Sequence, residues 1–261
     1  MRRSNSVILW MTVTFLLAEF FGFAIQTHYA KTELPFGLTP PPVTEEQSVG
    51  YFIAMVLVAT VIFLIIIKFA LFLIWKIWYV LAVTLCSAVS LRVILNDNLA
   101  LVAAFLSAVL STVEKDPYFY NLVQVLCYAG LASIFSPIFN IGSMIILLVL
   151  ISVYDFVSVY ITGHMVTLAK SQEKTGIYSG VVVKDVERNE SAFLGGGDLI
   201  LPMLFSGVAG RTSVISGYFV IYGATAALLV LLLMGEKRKA YPAMPILSTG
   251  MIMGYMISVF L

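Results

Sequence analysis

The chain has 261 residues, of which 61% are hydrophobic and only 11% charged, with a formal net charge of +1. Its mean hydropathy is +1.01. A soluble domain carries about 25% charged residues, so the composition excludes an ordinary soluble fold, and the near-neutral charge excludes a nucleic-acid partner.

In chain order, the apolar runs predict about nine membrane-spanning helices, since a bilayer core of ~30 Å takes ~20 residues at 1.5 Å each. The first covers 6–26. It follows a basic start, "MRRSNS", but is too long for a signal peptide and lacks a small-x-small cleavage site, so it reads as a retained helix. The second covers 49–67 and the third 75–93, with Lys68 and Lys76 around the turn between them. The fourth, 98–113, is short. "EKDP" at 114–117 breaks the chain before the fifth, 118–136, which Pro137 ends. The sixth covers 139–161, and a polar loop fills 162–192. The seventh covers 193–210, the eighth 213–234 and the ninth 241–260. The expected fold is an all-α polytopic bundle. It divides into an N-terminal membrane bundle (1–161), a loop (162–192) and a C-terminal membrane segment (193–261).

With the N-terminus inside, twelve of the fifteen Lys and Arg fall on the inner side, leaving Lys31, Arg92 and Arg211 outside. The positive-inside rule therefore predicts a cytoplasmic N-terminus and a cytoplasmic loop 162–192. Within that loop, Tyr178 and Val181–Val183 have strand propensity between glycines, and the stretch 178–183 could offer an edge for an unwound substrate to pair with. "TPPPVTEEQS" at 39–48 reads as an outer linker. Cys86 and Cys127 lie within spans, and His28 and His164 at loop edges. Such a set builds no four-ligand zinc site, so neither metal nor cofactor is expected.

Three acids fall within the spans: Glu19, Asp155 and Asp198. Each costs ~2.5–3.5 kcal/mol at mid-bilayer on insertion scales. Span six runs inward with Asp155 about six residues before its end. Span seven runs outward with Asp198 about five residues after its start. Both carboxylates thus lie roughly 8–9 Å below the inner surface, facing one another if the two helices pack directly. Two carboxylates at close range in low dielectric do not both ionise; they share a proton and titrate as a unit. Such a pair suits aspartyl hydrolysis, in which the ionised member activates water and the neutral one polarises the scissile carbonyl. Gly195, Gly196 and Gly197 would let another backbone approach Asp198, and Pro202 disturbs the helix beyond. Glu19 has no evident partner and reads as an interhelical hydrogen-bonding or lipid-interface residue. Gly250-x-x-x-Gly254 reads as a helix-packing motif. A proton-coupled transporter or channel would also use intramembrane acids.

"YD" at Tyr154–Asp155, "GGGD" at 195–198 and "PAMP" at 242–245, in this order and on spans six, seven and nine, resemble the three signatures of presenilin and signal peptide peptidase, the intramembrane aspartyl proteases. The resemblance implies a catalytic pair Asp155 and Asp198. It implies a site shaped by Tyr154, Gly195, Gly197 and Leu199, and bordered by Pro242, Ala243 and Met244, where the family has Pro-Ala-Leu. It further implies transmembrane-helix protein substrates in the lipid bilayer, a multi-pass location (the cell membrane for a microbial homologue) and no need for accessory subunits.

Overall fold

The computed structural model describes residues 4–69, 71–114, 116–161, 179–185, 190–235 and 241–261. Among these are nine α-helices: α1 (Asn5–Tyr29), α2 (Glu45–Lys68), α3 (Phe72–Leu91), α4 (Asp97–Leu110), α5 (Pro117–Phe135), α6 (Ile141–Tyr160), α7 (Gly196–Thr212), α8 (Val214–Met234) and α9 (Met244–Val259). A hairpin of two strands, β1 (Gly180–Asp185) and β2 (Glu190–Gly195), lies between α6 and α7. Six of the helices are long and apolar enough to cross a membrane, namely α1, α2, α3, α5, α6 and α8. At 14 and 16 residues, the apolar helices α4 and α9 are shorter, and α7 has 17. His164, Tyr178 and most of the basic residues expected on the inner side (Arg2, Arg3, Lys115, Lys170, Lys174, Arg188, Lys237, Arg238 and Lys239) lie outside the described residues.

Local chemistry sets the helix starts. The Asn96 side chain accepts the Leu99 N–H at the head of α4. Asp116 caps α5 by accepting the Phe119 N–H at 3.0 Å, with Pro117 in the first turn, where its missing N–H costs nothing. Asn140 and Ser143 form a reciprocal capping box at α6. The break expected at "EKDP" is thus a helix start built by its last two residues.

One expected boundary moves. The apolar run from 193 predicts helix from its first residue, but 193–195 belong to β2. Phe193 pairs with Val182 and Leu194 with Val181. A short apolar run carries no period that separates strand from helix, and the Val181–Val183 partner decides it. The valines also do something other than expected. Asn121 of α5 donates its amide to the Val182 carbonyl at 2.7 Å and accepts the Val182 N–H at 2.9 Å. The edge of β1 that faces away from β2 is therefore closed at Val182 by the protein itself.

α7 is the centre of the bundle. Residues Leu199 to Ala209 are all buried, as expected of a helix surrounded by others. Small residues let its neighbours come close. A Cβ on Gly207 would overlap the Gln26 amide of α1, and one on Gly210 would overlap the Phe23 ring. Gln26 in turn donates to the Met203 carbonyl at 2.8 Å. The seam between α8 and α9 is tighter: a Cβ on Gly223 would run into the Gly250 carbonyl, and one on Gly254 into the Phe219 carbonyl. The Gly250/Gly254 motif thus packs α9 backbone against α8 backbone, and it fixes where α9 begins.

Because the obstacle is backbone, Gly250→Leu should destabilise the protein by ~1–3 kcal/mol or more, read as a lowered Tm in detergent. Gly50→Ala in α2, where a Cβ meets nothing within 4 Å, should leave Tm unchanged or raise it.

Candidate active site

Asp155 sits on the inward face of α6 with Ile151 and Ser158 and is only 6% exposed. Its Oδ2 accepts the Met244 N–H at 3.1 Å, and the Ala243 N–H faces the same carboxylate. Both groups belong to the start of α9, where Ala243 is the capping residue and Met244 the first helical one. The first N–H groups of a helix have no internal partner and carry the positive end of its dipole. A carboxylate is the ligand they suit best. Pro245 follows within the first turn of α9. The segment Pro242–Ala243–Met244 thus meets Asp155 through main-chain N–H groups of Ala243 and Met244 and not through Pro242, which has none, while the Met244 side chain is buried in the core. A Met in place of the family's Leu leaves the N–H where it is.

Asp198 is the third residue of α7, whose capping residue is Gly195. Its carboxylate turns back toward the main chain of Gly195, the direction in which an acid at this position of a capping box points. The hairpin delivers the chain to this point. Gly180, at φ +150°, lies against Gly195, and a Cβ there would overlap the Leu194 carbonyl. The Gly196 N–H then donates to the Ser179 carbonyl at 2.8 Å. Pro202, four residues on, has no N–H for the Asp198 carbonyl. Asp198 is half-buried, whereas Leu199 behind it is wholly buried.

The structure brings Asp155 and Asp198 within electrostatic range of one another, where α6, α7 and α9 meet. The other expected site residues divide. Gly195, Ala243 and Met244 lie at the acids, and Pro242 precedes the last two in the chain. The Tyr154 hydroxyl instead lies 3.5 Å from the Thr60 hydroxyl of α2, and Leu199 belongs to the main core. The three glycines are unequal: a Cβ on Gly195 would come 3.2 Å from Asp198 Oδ2, one on Gly196 would overlap the Tyr128 hydroxyl, and one on Gly197 would meet nothing within 4 Å. The close approach predicted for the glycines is thus made chiefly at Gly196, by a buried tyrosine of α5.

Sequence reasoning missed Tyr128, which lies in an apolar run with nothing to mark it. It also missed a serine pair. Ser152 donates to Ser248 at 2.9 Å, one turn before Asp155, and the i, i+3 spacing to Asp155 was the available signal. These serines line an open groove of about 380 Å³ between α6 and α9, with Phe156, Pro245 and Thr249. Glu19 corrects its expectation. It is fully buried, so it is not at the lipid interface, and neither carboxylate oxygen has a hydrogen-bond partner among the described residues.

The family model for signal-peptide peptidase, presenilin aspartyl protease matches residues 12–261, and the chain belongs to this family. It is a multi-pass integral membrane protein and an intramembrane aspartyl protease. Two crystal structures of a presenilin family intramembrane aspartate protease share its fold. The one in space group C222 has a TM-score of 0.70 at 23% identity, covering 97% of this chain and 98% of that chain. The one in P2 has a TM-score of 0.68 at 24% identity, covering 97% of each. No curated protein matches the sequence significantly.

Gly196→Ala should lower Tm by an amount corresponding to ~1–3 kcal/mol, because the Tyr128 ring must move. Gly197→Ala should leave Tm unchanged. Thermal unfolding of the two purified variants checks the difference.

Proposed function

We propose that Asp155 and Asp198 are the catalytic pair of this protease and that both act on one peptide bond of a substrate transmembrane helix. The observation that carries the reading is the main-chain setting of the two acids. Asp155 accepts the Met244 N–H at the start of α9, and Asp198 turns back toward Gly195 at the cap of α7. Such donors hold a carboxylate in place without neutralising it, as a Lys or Arg would. The ionised member takes a proton from water while the protonated member donates to the scissile carbonyl oxygen. The hydroxide adds to the carbonyl carbon. The proton taken from water then goes to the leaving nitrogen as the C–N bond breaks. No metal is needed for this sequence.

The groove between α6 and α9 supports a lateral route for the substrate. Ser152 and Phe156 flank Asp155 in sequence, Pro245 follows the donor Met244, and all three line it. In this reading the cut helix unwinds beside Asp155 rather than by pairing with β1, whose edge Asn121 occupies at Val182. Residues 1–161 and 193–261 each contribute one acid, and all nine helices take part in crossing the membrane. The N-terminus faces the cytoplasm of a cell membrane, as the basic residues favour, and the chain acts without accessory subunits.

Purified protein incubated with a single-span peptide in liposomes should cleave it. Asp155→Asn and Asp198→Asn should each reduce the rate by about 10²-fold or more with Tm retained. Full activity in either variant would remove the pair from the mechanism. Proton flux without cleavage, lost in Asp155→Asn, would favour a transport role for these acids instead.

A further inference from the structure

Away from both acids, α1 and α5 part to leave an open groove of about 630 Å³. Trp10, Leu17 and Phe21 of α1 and Tyr118, Leu122 and Val125 of α5 wall it. Its polarity is graded. Ser6, Asn121 and Lys184 lie toward one end, where α1 and α5 both begin, and the far end at Leu17, Phe21 and Val125 is apolar. Two helix N-termini and an ammonium at one mouth favour an anion there. Lys184 is exposed and has no ion pair among the described residues. Of the acids nearby in the chain, Asp116 is engaged in capping α5.

Length decides between a lipid and a helix as occupant. From Ser6 to Phe21 the groove follows α1 for ~22 Å at 1.5 Å per residue. That exceeds the ~15 Å depth of one leaflet by roughly the height of a headgroup, and falls short of the ~30 Å that a crossing helix covers. Trp10 and Tyr118 stand near the polar end, as aromatic side chains do at a membrane interface. We propose that this groove binds an anionic phospholipid, with an acyl chain between α1 and α5 and the phosphate at Lys184. The lipid touches Val182, Val183 and Lys184 of β1. It therefore rests on the strand that Asn121 clamps and that pairs with β2, the segment ending at Gly195 beside Asp198.

The test is lipid retention, a readout independent of proteolysis. The full chain is extracted from vesicles of equal phosphatidylglycerol and phosphatidylcholine, and bound lipid is counted by native mass spectrometry. The expected result is preferential retention of phosphatidylglycerol, reduced about tenfold in Lys184→Gln, and loss of both lipids in Leu122→Trp, which fills the groove. Equal retention of the two lipids by the unmodified chain would overturn the proposal. So would a phosphatidylglycerol preference unchanged in Lys184→Gln, or capture of a substrate helix rather than lipid by a photo-crosslinker at Leu122.

Discussion

An acid among membrane helices is costly to keep, and at Asp155 a main-chain amide at a helix start holds the carboxylate in place. The Met244 N–H against the Asp155 carboxylate is the contact on which the site depends. It requires α9 to begin at one depth and no other. That depth is set by the glycine seam with α8, in which Gly223, Gly250 and Gly254 leave no room for a side chain. A helix-packing motif far from the chemistry thereby fixes the height of a hydrogen-bond donor in the site.

The second acid is positioned from the opposite direction. The hairpin runs into α7 without a loop, so the cap of the helix and the last residue of β2 are the same glycine. Asn121 fastens the hairpin to α5, and Tyr128, two turns along that helix, covers Gly196. α5 thus holds both the strand and the first turn of α7. With α7 buried among its neighbours, Asp198 has open space, among the described residues, only beside Gly197.

Much of this was legible in the sequence because it depends on depth alone. Charge asymmetry and helix counting lead to the expectation that Asp155 and Asp198 share one level, and Gly250-x-x-x-Gly254 names the seam. What stayed hidden has physical reasons. The donor to Asp155 is a backbone group, which no residue type announces, so "PAMP" could be read only as a border. The strand at 193–195 is as apolar as a helix start and needs its partner to be recognised. Tyr154 adjoins Asp155 in sequence, but successive helix positions diverge by ~100°, and its hydroxyl meets α2 instead. Glu19, expected to find a partner, is buried without one among the described residues.

The central claim is that both acids engage the same reacting carbon. Equilibrium binding of a hydroxyl-bearing transition-state mimic of peptide hydrolysis, measured calorimetrically on purified protein, tests it without relying on turnover. One molecule should bind per chain, and Asp155→Asn and Asp198→Asn should each weaken binding by at least about tenfold, the worth of a lost hydrogen bond to a charged group. Undiminished affinity in either variant would mean that the two carboxylates do not share a substrate.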